Sequence, residues 1–82
     1  MFFVYAIKSI DKNYIYVGLT NNPERRFNEH QRGSNKTTKP YRPFIQFYKE
    51  PFASRPQARH REKFLKSGVG KEILKKLLRQ NS

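Results

Sequence analysis

Two short runs of aromatic and β-branched residues near the start of the chain constrain its fold more than any other feature. Phe3–Ile7 and Tyr14–Gly18 have the composition typical of half-buried strands, and the turn-rich segment Lys8–Asn13 lies between them. The simplest way to join them is an antiparallel hairpin. If the hairpin loop contains an even number of residues, the position numbers of directly opposed residues add to an odd number.

The pairing of the two strands decides which side chains share a face, because directly opposed side chains project from the same side of a sheet. Tyr5 and Tyr16 then project together beside Gly18. The opposite face is entirely apolar and comprises Phe2, Val4, Ala6, Ile15, Val17 and Leu19. We therefore expect one face to build the core and the other to present two phenols. A slip of one residue would destroy this arrangement.

The middle of the chain predicts a helix followed by a loop. Asn22 and Pro23 suit the first positions of a helix that continues through Gln31 and ends near Gly33. A polar and basic loop is then expected over residues 34–40.

The remaining elements complete a small mixed fold. Pro43–Glu50 alternates enough to be a third strand, with Ile45 and Phe47 facing inward. The other predicted elements are a second helix from Pro56 to about Ser67, capped by Ser54, then a break at Gly68–Gly70 and a third helix over about Lys71–Arg79. The order β-β-α-β-α-α predicts an α+β fold, in which about three helices pack on a small three-stranded antiparallel sheet.

The charge of the chain indicates a polyanionic partner. Its 82 residues, which suit a single domain over 1–82, include 18 lysines and arginines against 6 acidic residues, a net charge of +12. Nucleic acid is the first candidate, because its phosphates release counterions to basic side chains. An anionic membrane surface is the rival, but only Lys71–Arg79 faintly resembles the basic amphipathic helix that it requires.

The absence of cysteine and of a recognisable signal peptide limits the cellular locations and the kinds of site that the sequence allows. The chain has no cysteine, which excludes disulfides and thiolate metal sites. The apolar run Met1–Ile7 lacks a basic lead-in and is too short for a signal peptide or a membrane span. The sequence thus predicts a soluble cytoplasmic protein.

Glu62 is the most informative single residue for chemistry. It shares one face of the second helix with Ala58 and Leu65, and a carboxylate among core positions is costly unless it is paired, hydrogen-bonded or bound to metal. One interpretation is a structural glutamate at the helix flank, or one paired with Arg59 or Arg61. The other is a ligand for one hard divalent cation, Mg²⁺ or Mn²⁺, which takes its other ligands from water and substrate phosphate.

The first helix and the hairpin each contain a further pair of candidate functional residues. Arg26 and His30 face the same way, and an arginine can clamp a phosphate while a histidine can transfer a proton near neutral pH. Arg25 should lie off their shared face. The alternative is a solvated basic helix face. For Tyr5 and Tyr16 the alternative is ordinary aromatic packing, because a phenol with a pKa of about 10 needs a nearby cation to act as a base at pH 7.

Basic residues also surround the predicted loop and the second helix. They are Lys36, Lys39, Arg42, Arg55, Arg59, His60 and Arg61. Tyr41, Phe44 and Tyr48 are interleaved with them, so the set resembles a track for nucleic acid with occasional stacking surfaces. The alternative is charge that only keeps the protein soluble, but the excess of basic residues favours a polyanion.

Taken in order, these positions resemble the GIY-YIG nuclease family, including its small stand-alone members and the N-terminal domain of the excision-repair incision protein. Val4-Tyr5-Ala6 corresponds to the first triplet of the family and Tyr16-Val17-Gly18 to the second. Arg26 and His30 match the helix that follows, and Ala58–Lys63 matches the segment with a metal-binding glutamate. The resemblance covers most of the chain, about residues 2–77.

The resemblance implies metal-dependent hydrolysis of phosphodiester bonds, usually in DNA, as in homing endonucleases, restriction enzymes and nucleotide-excision repair. It implies that Glu62 holds one divalent cation and that Tyr5 activates the attacking water. It further implies that Tyr16 orients this network, that Arg26 stabilises charge on the phosphate and that His30 assists proton transfer.

Three departures from the family bear on function. The first triplet begins with Val4 and ends with Ala6, a change that should be mild because the tyrosine is kept. Gly70–Leu74 has no counterpart of a late asparagine that many members carry, and Asn81 lies further along. We also expect no additional DNA-binding domain besides these 82 residues, and therefore structure-selective or low-specificity cleavage, or targeting by a protein partner. The alternative is a non-catalytic nucleic-acid-binding module of the same fold. A third reading is a small basic protein that docks on an acidic partner or on ribosomal RNA.

Overall fold

A computed structural model describes residues 1–80 of the chain. Its elements are strands β1 (Phe2–Ser9) and β2 (Ile15–Thr20), helix α1 (Pro23–Arg32), a 3-10 helix (Lys39–Tyr41), strand β3 (Phe44–Phe52), and helices α2 (Arg55–Lys66) and α3 (Gly68–Gln80). The predicted order β-β-α-β-α-α and the α+β class are confirmed. Asn81 lies outside the described residues.

The three strands form one antiparallel sheet in the order β2-β1-β3. Tyr5 lies opposite Gly18 and Ile7 lies opposite Tyr16, so opposed positions do add to an odd number. Tyr5 and Tyr16 therefore share a face, and their ring centroids are 6.4 Å apart. The hairpin register predicted from the sequence is confirmed.

The main core lies on the other face of the sheet, where α2 and α3 pack. Val4, Ala6 and Val17 of the hairpin form one buried cluster with Leu65 of α2 and Leu74 of α3. Removing these apolar side chains from water supplies the largest favourable contribution to folding. The prediction that the Val4 face builds the core is confirmed.

The face that carries the tyrosines is covered as well. Tyr5 is only 2% exposed and clusters with Ile7 and Phe44, while Phe27 of α1 and Tyr41 of the 3-10 helix pack around them. The expectation that this face presents both phenols is therefore wrong for Tyr5, because α1 and the 3-10 helix cover that side of the sheet.

β3 differs from the predicted strand near its start. Its register shifts beside Phe47, which is an extra residue opposite β1 and packs on the main core, as predicted. The prediction that Ile45 faces inward is wrong, since Ile45 is 47% exposed. Ile45 lies opposite Lys8, beyond Ala6, the last residue of β1 in the main core.

The predicted ends of α1 and the predicted cap of α2 are confirmed. The Asn22 side chain accepts a hydrogen bond from the Arg25 amide at 3.1 Å, and α1 ends at Gly33, whose φ of 81° is left-handed. The Ser54 hydroxyl accepts a hydrogen bond from the Gln57 amide at 3.4 Å at the start of α2.

The third helix is longer than predicted. Helix α2 ends at Lys66 with Ser67 as its C-cap, and α3 begins at Gly68 instead of Lys71. The glycine-rich segment therefore forms the first turn of α3. Gly70 approaches α2 so closely that a Cβ there would collide with the Phe64 carbonyl oxygen. The glycine therefore serves the packing of α3 on α2 and does not interrupt a helix.

Candidate active site

Tyr5 is the centre of the candidate site. Its ring lies over Gly18, where a Cβ would collide with the phenol oxygen, so only glycine fits at this position of β2. The Tyr5 Oη atom forms a 2.8 Å hydrogen bond with Nε2 of His30 in the last turn of α1. The hairpin and α1 thus meet at one buried phenol.

His30 is held on its other side by a residue that sequence reasoning missed. Its side chain is fully buried, and Nδ1 forms a 2.8 Å hydrogen bond with Oγ1 of Thr38, which is also fully buried. Thr38 belongs to the segment predicted as a polar loop, and its position there gave no signal of burial. The result is a continuous chain of hydrogen bonds from Thr38 through His30 to Tyr5.

Arg26 and Arg25 are separated as the helix spacing predicted. Arg26 lies one turn before His30, approaches the Tyr5 phenol, and donates a 2.9 Å hydrogen bond from Nη1 to Glu29. The Arg25 side chain is 60% exposed and contacts the same carboxylate only at 3.8 Å. Arg26 therefore belongs to the Tyr5 cluster, and Arg25 does not.

Burial controls the protonation of the two central groups. It raises the pKa of Tyr5 to about 12, the neighbouring Tyr16 adds to this increase, and the Arg26 guanidinium opposes it. Burial also lowers the pKa of His30 to about 4, with a further decrease from the Arg26 charge. At neutral pH the structure therefore holds a neutral imidazole against a neutral phenol.

Tyr16 lies beside this pair without a hydrogen bond to it among the described residues. Its ring centroid is 5.1 Å from that of His30, and the Tyr16 side chain is half-buried. Tyr5, Tyr16, Arg26 and His30 are therefore brought together by the fold.

Glu62 shares one face of α2 with Ala58 and Leu65, as its spacing predicted, and it is 6% exposed, which excludes an exposed position at the helix flank. Its two carboxylate oxygens form ion pairs with Arg59 at 3.3 Å and with Lys66 at 3.2 Å. The pairing with Arg59 is one that the structural interpretation named, and the role as a metal ligand stays a prediction. Its charge contributes to the raised pKa of Tyr5, so the carboxylate lies within electrostatic reach of the phenol.

A metal site near Glu62 would have few protein ligands besides this carboxylate. Within residues 1–80, no group of three or more histidine, cysteine, aspartate or glutamate side chains is arranged to hold a metal ion. One hard oxygen ligand suits Mg²⁺, which commonly keeps several waters and takes substrate phosphate as a ligand. The Glu62 carboxylate fits this mode, although it would have to exchange one of its ion pairs.

Three of the six predicted nucleic-acid-binding residues lie in two groups near the ends of α1. Arg55 lines a cavity of about 290 Å³ together with Arg25 and Arg26, at the start of that helix. Lys39 and Arg42 lie beside Gly33, at its other end. Positive charge therefore flanks the Tyr5 cluster on two sides.

The other three predicted binding residues differ in how available their charge is. Lys36 is exposed in the segment after α1, and Arg59 is exposed but paired with Glu62. Arg61 forms an ion pair with Glu50 at 3.3 Å and lies over the Phe64 ring, which leaves less of its charge for a phosphate.

The depressed pKa of His30 predicts a loss of stability on acidification. Below its unfolded pKa of about 6.5, the unfolded chain binds a proton at His30 that the folded protein does not bind until pH approaches 4. The free energy of unfolding should therefore fall by about 2 kcal/mol between pH 7 and pH 5 from this residue alone. Urea denaturation at both pH values measures the change.

The exposed His60 provides the matched control for this measurement. His30→Gln should remove most of the decrease between pH 7 and pH 5, whereas His60→Gln should keep it. The same pH slope in both variants would contradict a depressed pKa at His30.

Comparison with known proteins agrees with this geometry. Residues 1–76 match the model of the GIY-YIG catalytic domain. The chain is 38% identical over 74 residues to a UPF0213 protein of Staphylococcus haemolyticus, covering 89% of each chain. It is 36% identical over 74 residues to a UPF0213 protein of Vibrio campbellii, covering 87% of this chain and 70% of the relative. No solved structure gives a significant match.

These matches identify the chain as a GIY-YIG catalytic domain, which implies nuclease-type activity on nucleic acid. Within residues 1–80, none of the helices has the length and apolar character that a membrane span requires. The chain belongs to the GIY-YIG family.

Proposed function

We propose that the protein is a metal-dependent endonuclease that hydrolyses phosphodiester bonds in DNA with structure-selective or low-specificity action. The observation that carries this proposal is the convergence of Arg26 and His30 on the Tyr5 phenol, with the Glu62 charge acting on the same group. Phosphoryl chemistry depends chiefly on positioning and on positive charge where negative charge develops, and this cluster supplies both.

Tyr5 is the proposed general base. After the phenol has released its own proton to solvent water, its Oη atom would accept a proton from the attacking water, and Tyr16 beside it would orient the network. Because the pKa of the Tyr5 phenol is about 12 in the free protein, the site must lower it during the reaction. Arg26 already acts in that direction, and it would also stabilise negative charge on the phosphate.

Glu62 is the proposed ligand for one Mg²⁺ or Mn²⁺. When bound, the cation would act as a Lewis acid on the phosphate and add positive charge near Tyr5. The Arg59 and Lys66 side chains that now pair with Glu62 are 61% and 52% exposed, so they can move into solvent when the carboxylate changes partner. The bound cation would then neutralise the nearly buried carboxylate in their place.

The two basic groups at the ends of α1 are proposed to hold the substrate backbone. A helix of ten residues is about 15 Å long, which corresponds to the rise of about four nucleotides along one DNA strand. Arg55 and Arg25 would contact phosphates on one side of the scissile bond, with Lys36, Lys39 and Arg42 on the other. The proposed partner is therefore an extended DNA backbone, with a protein partner as a possible source of targeting.

A non-catalytic nucleic-acid-binding module is the second candidate. Both Glu62 oxygens are ion-paired, and Gly70, in the segment that lacks the late asparagine, is buried against α2. These features favour a protein that binds DNA through its charge without cutting it.

A cleavage screen separates the two candidates. Labelled duplex, nicked, flapped, branched and single-stranded DNA, and RNA, are incubated with Mg²⁺, with Mn²⁺ or with a chelator. We expect cutting of branched or single-stranded DNA only when metal is present. If no substrate is cut with either metal while DNA binding persists, the binding module is the correct function. Salt sensitivity does not discriminate, because both candidates bind through charge.

A further inference from the structure

The Thr38 hydroxyl has one hydrogen-bond partner among the described residues, Nδ1 of His30 at 2.8 Å. A hydroxyl carries one proton to donate, and a buried donor without an acceptor costs about 1–3 kcal/mol. Thr38 is fully buried, so water does not offer a second acceptor. The Tyr5 phenol is the rival donor to the imidazole, but Tyr5 keeps 2% exposure at the candidate site, where solvent can accept its proton, whereas Thr38 keeps none. The economical assignment is therefore that Thr38 donates its proton to Nδ1.

This assignment fixes the protonation of the imidazole. A neutral histidine carries one ring proton, so an Nδ1 atom that accepts a hydrogen bond leaves the proton on Nε2. Nε2 lies 2.8 Å from the Tyr5 phenol oxygen, and the depressed pKa of His30 keeps the ring neutral at pH 7. His30 then donates to Tyr5 and does not accept its proton.

We propose that Thr38 is a positioning residue that holds His30 as the Nε2–H tautomer, so that the imidazole donates a hydrogen bond to the Tyr5 phenol oxygen. The catalytic consequence rests on the proposed nuclease function. With Nε2–H directed at Oη and the Arg26 guanidinium close by, the surroundings favour the phenolate that forms when Tyr5 releases its own proton to solvent water. His30 therefore acts as a donor that prepares the base, which differs from a role as a proton acceptor near neutral pH.

The local structure of the missed segment keeps the threonine in place. The Thr38 carbonyl accepts a 2.9 Å hydrogen bond from the Tyr41 amide in the 3-10 helix. The Asn35 side chain accepts hydrogen bonds from the amides of Thr37 at 2.8 Å and of Thr38 at 3.3 Å. The hydroxyl is thus presented to Nδ1 by a fixed backbone.

Nitrogen NMR of ¹⁵N-histidine-labelled protein tests the tautomer without any nuclease assay. The chain has two histidines, and a His60→Gln sample assigns the signals of His30. At pH 7 we expect Nε2 of His30 to show the shift of a protonated nitrogen and Nδ1 that of a hydrogen-bonded acceptor. An Nδ1–H tautomer in the wild-type protein would overturn the proposal, and the one variant that the measurement requires changes the exposed His60.

Substitutions at Thr38 test its role. Thr38→Val should move the Nδ1 signal towards that of a free acceptor, whereas Thr38→Ser should restore it and Thr37→Val, at an exposed neighbour, should leave it unchanged. On a cleaved substrate, Thr38→Val should lower kcat about tenfold, the loss of about one hydrogen bond, with KM within about twofold. An unchanged Nδ1 signal in Thr38→Val would also refute the proposal.

The two measurements fail independently. An Nε2–H tautomer in a protein that cuts no nucleic acid would leave the positioning of His30 intact and remove the proposed function. Cleavage by a protein with an Nδ1–H tautomer would support the proposed function and refute the positioning of His30 by Thr38.

Discussion

Glu62→Gln should abolish metal-dependent cleavage while leaving nucleic-acid binding intact. Glutamine keeps the size of the side chain but removes the charge that a divalent cation requires from this carboxylate. A cation that stabilises transition-state charge by about 4 kcal/mol corresponds to a loss of about a thousandfold in kcat. Single-turnover cleavage and a separate DNA-binding titration measure the two properties.

The fold is expected to tolerate this change. The amide oxygen of glutamine can still accept the hydrogen bond from Arg59, and Lys66 is half exposed and can be hydrated. Glu72→Gln is the matched control, because Glu72 lies on α3 with a 68% exposed side chain and a 3.7 Å ion pair to Lys75. It should cut like the wild type. If Glu62→Gln loses DNA binding together with cleavage, Glu62 has a folding role instead.

The hairpin shows what local patterning can determine. Side chains alternate strictly along paired strands, so the positions of Tyr5, Tyr16 and the apolar set fixed one register without knowledge of the other elements. The face that Glu62 shares with Ala58 and Leu65 followed in the same way, because the spacing of a helix face is also a local property, but the pattern left open whether the carboxylate is buried. These two local patterns predicted much of the candidate site.

Tertiary contacts decided the rest. Thr38 is buried because the chain after α1 folds back over His30, and nothing in a polar, basic segment indicates such a contact. The same tertiary packing buries both Tyr5 and His30. This burial raises the pKa of Tyr5 and lowers the pKa of His30. Sequence patterns therefore predicted which groups meet, whereas their protonation states depended on what packs around them.

The partner of a charged side chain was equally hard to predict. Arg59 and Arg61 were both candidates to pair with Glu62, and only Arg59 does so, since Arg61 reaches Glu50 on β3. Residues three positions apart on a helix, such as Arg59 and Glu62, lie close enough for their side chains to make contact. Arg61 is adjacent to Glu62 in sequence, so its side chain points in another direction. The distinction affects function, because it decides which charge must move if Glu62 binds a cation.

Arg26→Ala should lower kcat by about a hundredfold or more, with a smaller effect on substrate binding. Removing one preorganised donor to a developing anion typically costs a factor of about 100 to 1000 in kcat. Loss of Arg26 also removes a group that lowers the pKa of Tyr5, so the proposed base becomes harder to ionise. Steady-state kinetics on the substrate that emerges from the cleavage screen separates kcat from KM.

Arg25 and Arg55 provide the controls, because both line the cavity that Arg26 enters but neither belongs to the Tyr5 cluster. Arg25→Ala and Arg55→Ala should raise KM while leaving kcat within about fivefold, as expected for phosphate contacts that act alike in the ground and transition states. Glu29 keeps Arg25 as a partner when Arg26 is removed, so α1 should remain folded. Equal losses of kcat in all three variants would mean that α1 offers only a charged surface, and that Arg26 has no special position on the reacting phosphate.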